Sequence, residues 1–331
     1  MAVGPRLRQS ELIRRAEAVL RGNDEGSFIK PGPRQYPGQW NWDAAFVTMG
    51  LAHIDAERGR REVRSLLAGQ WADGMVPHIV FHAEDVDYFP GPSVWDSPSR
   101  PGAPPLPTSG ITQPPALAGA VRLLHERSPD RPFLEEVVPR LDAWHRWLHR
   151  QRQFDGSGLV AIVHPWESGT DDSPRFLPAL EALRLEEVPR FERRDRRHVV
   201  SSQRPTDLDY RRYVFLLDRL RRHGYRPASL REAPFAYLDA SFNALLVAAE
   251  EDLGDLWEEI GQKGGEARAR AEGMRAALGA QWDPETGLFR DRDLHGNDGS
   301  QETVAGLIPL YAGVPQPHQA ARTARAMWDP A

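Results

Sequence analysis

Between residues 36 and 43 the chain reads YPGQWNWD, which sets Tyr36, Trp40, Asn41, Trp42 and Asp43 on a Pro/Gly-rich entry into an apolar run. Flat aromatic faces stack on the C–H surface of a sugar ring, and amide and carboxylate groups bind its hydroxyls. The same residues also suit an N-capping Asn or Asp followed by two core tryptophans. Composition alone does not divide the two. A second constellation is HPWESGTDDSPRF (164–176), with Trp166, Glu167, Asp171 and Asp172 in a polar loop. Clustered carboxylates beside an indole can raise one pKa enough for that group to stay protonated and act as a general acid. The competing reading, acidic residues favoured by a helix dipole, is the stronger one for this segment alone.

GMVPHIVFHAEDVDYFP (74–90) offers His78, His82, Glu84 and Tyr88. No helical His-Glu-x-x-His spacing is present and Pro77 implies extended chain, so no metal site and no cofactor are expected. His78 and Tyr88 are better read as hydrogen-bonding a ligand. QRPTDLDYRRY (203–213) places Arg204 and Tyr210 at the end of a charged stretch. Arginine pairs bidentately with a carboxylate, although a lone loop arginine is usually a surface residue.

The elements that must position these groups are helical. Apolar residues recur at i, i+3 and i+4 over 10–21, 42–54, 58–71, 113–126, 132–152, 175–184, 206–223, 234–251, 255–280, 299–311 and 316–328, eleven expected helices with almost no strand alternation. A small pattern recurs after three of them: GQWADGMV, RQFDGSGLV and AQWDPETGLF. Their glycines Gly74, Gly158 and Gly287 lie 84 and 129 positions apart, close to two and three units of about 42 residues, the scale of a helical hairpin. Six such hairpins close into an (α/α)6 toroid, with the loops entering the inner helices as its rim. Independent helix caps and Asp-Gly turns would give the same letters. Two long loops, 87–115 and 184–207, are of the length that usually forms lids or substrate loops. No linker suggests a boundary, so one domain over 1–331 is expected.

The 331 residues are 40 % hydrophobic with a net charge of −5, which suits one large folded domain and gives nucleic acid no electrostatic footing. Cysteine is absent, excluding disulfides, thiolate metal sites and cysteine nucleophiles. With no signal-type N-terminus and no apolar run near the ~20 residues of a membrane span, no membrane association and a cytoplasmic location are expected. Homo-oligomerisation is left open.

Taken together, YPGQWNWDAAF, DGMVPHIVF, HPWESGTDDSPRF, RPTDLDY, DASFNALL and TVAGLIPLYAG resemble, in order and along the whole chain, the bacterial branch of glycoside hydrolase family 63, the mannosylglycerate and glucosylglycerate hydrolases. The resemblance implies an (α/α)6 toroid that hydrolyses an α-glycosidic bond with inversion in a small substrate such as 2-O-α-glucosylglycerate or 2-O-α-mannosylglycerate. Asp171 then matches the acid that protonates the leaving oxygen. Tyr36, Trp40, Trp42, Asp43, Gln113, Trp166 and Gly169 match positions around the sugar, and His78, Tyr88, Arg204 and Tyr210 match positions that hold the glycerate.

Two departures stand out. Thr170 and Asp172 replace the Met and Asn that flank the acid in the family, and the added carboxylate should raise the pKa of Asp171 if both are buried. The second carboxylate of an inverting hydrolase follows a Trp-Arg-Gly-Pro-Val-Trp-like segment in the family, and that segment and a twelfth helix are not in this sequence. A toroid lacking its last helix is therefore expected, with Glu302 the one nearby carboxylate to test as a substitute. A sugar-binding toroid without hydrolysis is the main alternative. A terpene-cyclase-like toroid fits less well, because GTDDS poorly matches an Asp-rich metal or protonating motif and a rim of Trp and Asn poorly matches an apolar pocket.

Overall fold

The computed structural model describes residues 9–83, 86–196, 199–297 and 301–328. In chain order its elements are α1 (Gln9–Gly22), β1 (Gln39–Trp40), α2 (Asn41–Leu51), α3 (Ala56–Ala68), β2 (Ile79–Val80), the short α4 (Pro92–Trp95), α5 (Leu117–Arg127), α6 (Arg131–Gln151), the short α7 (Leu177–Glu181), α8 (Asp207–Arg222), β3 (Tyr237–Leu238), α9 (Ala240–Glu259), α10 (Gly265–Gly279), β4 (Arg292–Asp293) and α11 (Pro317–Ala326). 3-10 turns occupy Pro165–Ser168, Pro174–Phe176 and Val304–Leu310.

The helices form two layers, as in an all-α toroid. Helix α2 packs on α5, α5 on α9, and α9 on the turn Val304–Leu310, which makes the inner row; α3, α6, α10 and α11 back it. Their sequences explain the sorting. Helix α3 has a narrow buried stripe, Val63, Leu66 and Leu67, and many charged residues, whereas α9 buries Phe242, Ala244, Leu246, Val247 and Leu253 between neighbours on both sides. The inner row faces a cavity of about 480 Å³ whose wall is mainly apolar and includes Trp42, Phe46, Met49, Leu245 and Ile308.

The recurring Gln-aromatic-Asp-Gly pattern marks one structural device. Gly74, Gly158 and Gly287 all take left-handed backbone, with φ of 107°, 88° and 78°, and each turns the chain back after an outer helix, α3, α6 or α10. Two short antiparallel ribbons complete the rim. One pairs Gln39 with Val80 and Trp40 with Ile79, and the other pairs Tyr237 with Asp293 and Leu238 with Arg292.

Several expected boundaries differ. The helix expected over 113–126 starts at Leu117, because consecutive prolines at 114 and 115 keep Gln113 and Pro114 out of helical backbone. The helix expected from 234 starts at Ala240, since Tyr237 and Leu238 pair with β4 and Asp239 caps the helix. Its expected break near residue 252 falls instead at 260–264. Gly254 stays helical, and its lack of a side chain leaves room for Gly264 and Arg268 to approach. The segment expected as helix 175–184 is a 3-10 turn plus the short α7. The one expected over 299–311 is a 3-10 turn interrupted by Pro309, which has no donor for an α-helical bond; residues 299 and 300 lie outside the described residues. Eleven α-helical segments do occur among the described residues, but α4 and α7 are among them and 299–311 is not.

The inner helix α9 is tied to the rim through its cap. Asp239 accepts from the N–H groups of Ser241 and Phe242 at 2.8 and 3.0 Å. Its other oxygen takes the guanidinium of buried Arg175 at 2.8 Å, and Arg175 also reaches Asp291 at 3.0 Å and the Thr170 hydroxyl at 3.0 Å. Removing one partner of such a pair leaves an uncompensated buried charge and loses a cap. Asp239→Ala should therefore destabilise the fold by roughly 3 kcal/mol or more, read as a lower urea midpoint; a loss within about 0.5 kcal/mol, the range of ordinary surface substitutions, would contradict this account of the α9 terminus.

Candidate active site

One cavity of about 190 Å³ opens beside the apolar cup, smaller than the roughly 300–1,000 Å³ of pockets for drug-sized ligands and so suited to a small molecule. Tyr36, Trp40, Trp42, Asp43, His78, Tyr88, Gln113, Trp166, Gly169, Asp171 and Arg204 all line it, with Pro31. Six stretches deliver them. The entry through β1 into α2 brings Tyr36, Trp40, Trp42 and Asp43, and the β1–β2 ribbon sets His78 beside them, its carbonyl accepting from the Asn41 N–H at 3.0 Å. Tyr88 comes from the long loop before α4, Gln113 from the extended chain before α5, Trp166, Gly169 and Asp171 from the turn at Pro165–Ser168, and Arg204 from the charged loop before α8.

Tyr210 is the exception among the expected residues. It lies on the first turns of α8 and is buried behind the cavity. Its hydroxyl donates to the Phe89 carbonyl at 2.9 Å, and the Arg193 guanidinium sits 4.3 Å over its ring. The direction of α8 thus commits Tyr210 to holding the two long loops together. Glu167 also departs from expectation. It does not join Asp171 in a carboxylate cluster; it is fully buried and accepts from Thr112 N–H at 3.2 Å, Val163 N–H at 2.7 Å and Arg152 at 2.9 Å. His82 faces away, stacked on Phe28 at 4.3 Å and bonded to Gln39 at 3.0 Å, and Glu84 lies outside the described residues. Among the described residues no group of three or more His, Asp or Glu side chains could hold a metal ion.

Aromatic contacts stiffen the walls. Trp40 meets Tyr36 and Tyr88 edge-on at centroid distances of 5.0 and 5.2 Å, and Trp166 lies nearly parallel to His78 at 6.5 Å. Gly169 is required twice: its φ is +73°, and a Cβ there would overlap the Trp42 ring. Gln113 Oε1 accepts from the Trp42 N–H at 3.2 Å, which fixes the orientation of the amide and leaves its NH2 for the cavity.

Charge is arranged as firmly as shape. Burial raises the pKa of Asp171; Arg204 opposes this, and Asp172 and Asp195 add to it. Asp172 therefore acts in the direction expected from the sequence, although it is itself exposed. Asp43 is pushed by burial up to about 6. Burial, and then the neighbouring His164, lowers His78 to about 3, so its ring is neutral, and its buried Nδ1 has no protein partner. Arg204 donates through Nε to Asp195 at 3.0 Å. Burial opposes the charge on Asp195, but Arg193 and Arg204 outweigh it and lower its pKa. Asp195 escaped the sequence reading, although an aspartate flanked by arginine pairs in RFERRDRRHVV is a signal for a buried arginine hub.

An α/α toroid whose rim holds a small aromatic-walled cavity, a desolvated carboxyl and an anchored arginine has the make-up of a carbohydrate-active protein. Comparison with known proteins gives the family. Residues 36–331 match the model of the mannosylglycerate hydrolase MGH1-like glycoside hydrolase domain, and the chain belongs to that family. It is 41 % identical over 327 residues to mannosylglycerate hydrolase MGH1 of Selaginella moellendorffii, covering 96 % of this chain and 66 % of that protein. It is 37 % identical over 327 residues to the glucosylglycerate hydrolase of Mycolicibacterium hassiacum, covering 93 % and 73 %. The crystal structure of a GH63 mannosylglycerate hydrolase from Thermus thermophilus in complex with Tris and D-glycerate superposes with a TM-score of 0.88 at 42 % identity, over 95 % of this chain and 76 % of that one. The chain thus spans just under two-thirds of the plant relative and about three-quarters of the bacterial structure.

Gly169→Ala should displace the Trp42 indole while leaving the helices intact. Weaker binding of D-mannose or D-glucose by at least about tenfold, roughly 1.4 kcal/mol, is expected from tryptophan fluorescence titration, with unchanged far-UV circular dichroism; unaltered affinity would contradict the packing argument.

Proposed function

We propose that this site hydrolyses the α-glycosidic bond of a hexosyl glycerate, 2-O-α-mannosylglycerate or 2-O-α-glucosylglycerate, with inversion. The observation that carries this reading is the presence of Asp171 and Arg204 on one small aromatic-walled cavity. The sugar ring would stack between Trp40, Trp42 and Trp166, with Asp43 and the Gln113 amide on its hydroxyls. Asp171, whose desolvation favours the protonated form, would give its proton to the glycosidic oxygen as the bond breaks. Arg204, held from behind by Asp195, would pair with the glycerate carboxylate. Neutral His78, with a free ring nitrogen, and Tyr88 would bind the glycerate hydroxyls. The D-glycerate in the Thermus structure supports an anion subsite of this kind, and relatives named for each sugar support both hexoses.

Inversion calls for a second carboxylate roughly 6.5–9.5 Å from the acid, which activates water on the opposite face. Among the described residues only Asp43 and Asp171 bring carboxylates to the cavity. Glu302, the substitute considered from the sequence, is exposed and lines a separate pocket with Thr286 and Arg290. This favours a second reading, in which the chain as it stands binds the glycoside without turning it over.

Release of free hexose from the two glycosylglycerates separates the readings. Hydrolysis that falls by about 10²–10⁴ in Asp171→Asn supports the first; binding with no hexose from the wild-type chain supports the second. Arg204→Ala should raise KM for the glycerate-bearing substrate and leave KM for the neutral glycerol analogue unchanged, and equal effects on both KM values would remove the carboxylate anchor. Because Asp172 raises the pKa of Asp171, Asp172→Asn should lower it, so the alkaline limb of the kcat profile, where the acid loses its proton, should move to lower pH. A limb that stays in place would show that Asp172 does not act on the acid.

A further inference from the structure

Asp171 and Arg204 face the same small cavity, yet Arg204 forms its ion pair with Asp195, at 3.0 Å. Asp195 is 4 % exposed, is gripped also by Arg193 at 2.6 Å, and gives its backbone carbonyl to Gln35 Nε2 at 2.9 Å. Arg204 is therefore fixed from behind, and its charge is held near the acid without being spent on it. A cation in that position favours the ionised carboxylate, which is the wrong form for an acid catalyst.

We propose that the anion bound by Arg204 arms the acid: when the glycerate carboxylate pairs with Arg204, the cation's hold on ionised Asp171 is cancelled and Asp171 takes up a proton from solvent. This rests on the reading of Asp171 as the acid and Arg204 as the carboxylate anchor. It makes the carboxylate part of catalysis as well as of binding, so a neutral glycoside occupying the same cavity leaves the acid less protonated and loses kcat in addition to affinity.

The other groups facing Asp171 sharpen the test. Asp195 has a lowered pKa and remains ionised, and the Tyr88 and Tyr213 phenols are raised by burial and remain neutral. His78 titrates far below the working range, at about 3. Asp172, next along the chain, and Asp43, across the cavity at about 6, are the remaining groups able to take up a proton.

Calorimetric titration of the chain with D-glycerate, in buffers of different ionisation enthalpy across roughly pH 5 to 8, reads the protons taken up on binding. A tenfold rise in the proton affinity of Asp171 gives a maximum uptake of about half a proton per glycerate. The expected result is uptake of this order in the wild type, with Asp171→Asn binding glycerate and losing the uptake. Binding with no proton uptake, or uptake that persists in Asp171→Asn, overturns the inference and leaves the anchor role of Arg204 standing. Failure of D-glycerate to bind overturns the anchor itself and the inference with it.

Discussion

Glu167 has no exposed surface, and its carboxylate joins three pieces of chain at one buried point. It takes the N–H of Thr112, next to Gln113, and the N–H of Val163, and it pairs with Arg152, whose guanidinium lies 4.8 Å over the Trp147 ring. A buried carboxylate is tolerated only when its lone pairs are filled in this way. Filling them fixes where the segment carrying Gln113 and the turn carrying Trp166, Gly169 and Asp171 stand relative to each other. His164 tightens the same turn. Its Nδ1 accepts from the Trp166 N–H at 3.1 Å, so its Nε2 carries the proton donated to the Tyr213 carbonyl at 3.0 Å.

On that frame the cavity divides its polar groups by environment. Asp171 and Asp43 are desolvated and held toward their neutral forms; Asp195 and Arg204 are also drawn in from solvent but paired, and stay charged. The contrast follows from one rule: burial disfavours charge unless an opposite charge lies within reach. It lets one small site hold a carboxyl biased toward its neutral form beside a charged guanidinium. The buried pair Gln39–Glu62 does comparable work at the rear, where Gln39 Nε2 donates to Glu62 at 2.7 Å and anchors the strand that leads into Trp40.

Much of this was legible because chemistry and chain order coincide. Tyr36, Trp40, Trp42 and Asp43 lie within one turn-and-helix entry, so their spacing alone brings them to one place, and the toroid follows from helical periodicity with three reused turns. What sequence could not show depends on contacts remote in the chain. Glu167 and Asp171 are four residues apart and share one motif, yet one is a structural hub and the other faces the cavity; nothing local to the motif distinguishes them, because the difference is made by Thr112 and Arg152. Asp195 looks like one charge among many until the loop folds onto Arg204. The break expected between 251 and 255 and the helix expected over 299–311 do not form, because packing of α9 against α10 keeps Gly254 helical and Pro309 lacks a donor. Tyr210 does not line the cavity, because periodicity locates α8 but not the direction in which its first turns face.

The central claim is that this cavity breaks an α-glycosidic bond by direct displacement with Asp171 as proton donor. Proton NMR of the anomeric signal during hydrolysis of 2-O-α-mannosylglycerate or 2-O-α-glucosylglycerate tests it most directly. The account predicts that the first hexose seen is the β anomer, with the α anomer growing in only at the rate of mutarotation. Initial release of the α anomer, or no release of hexose from either glycoside, would contradict it.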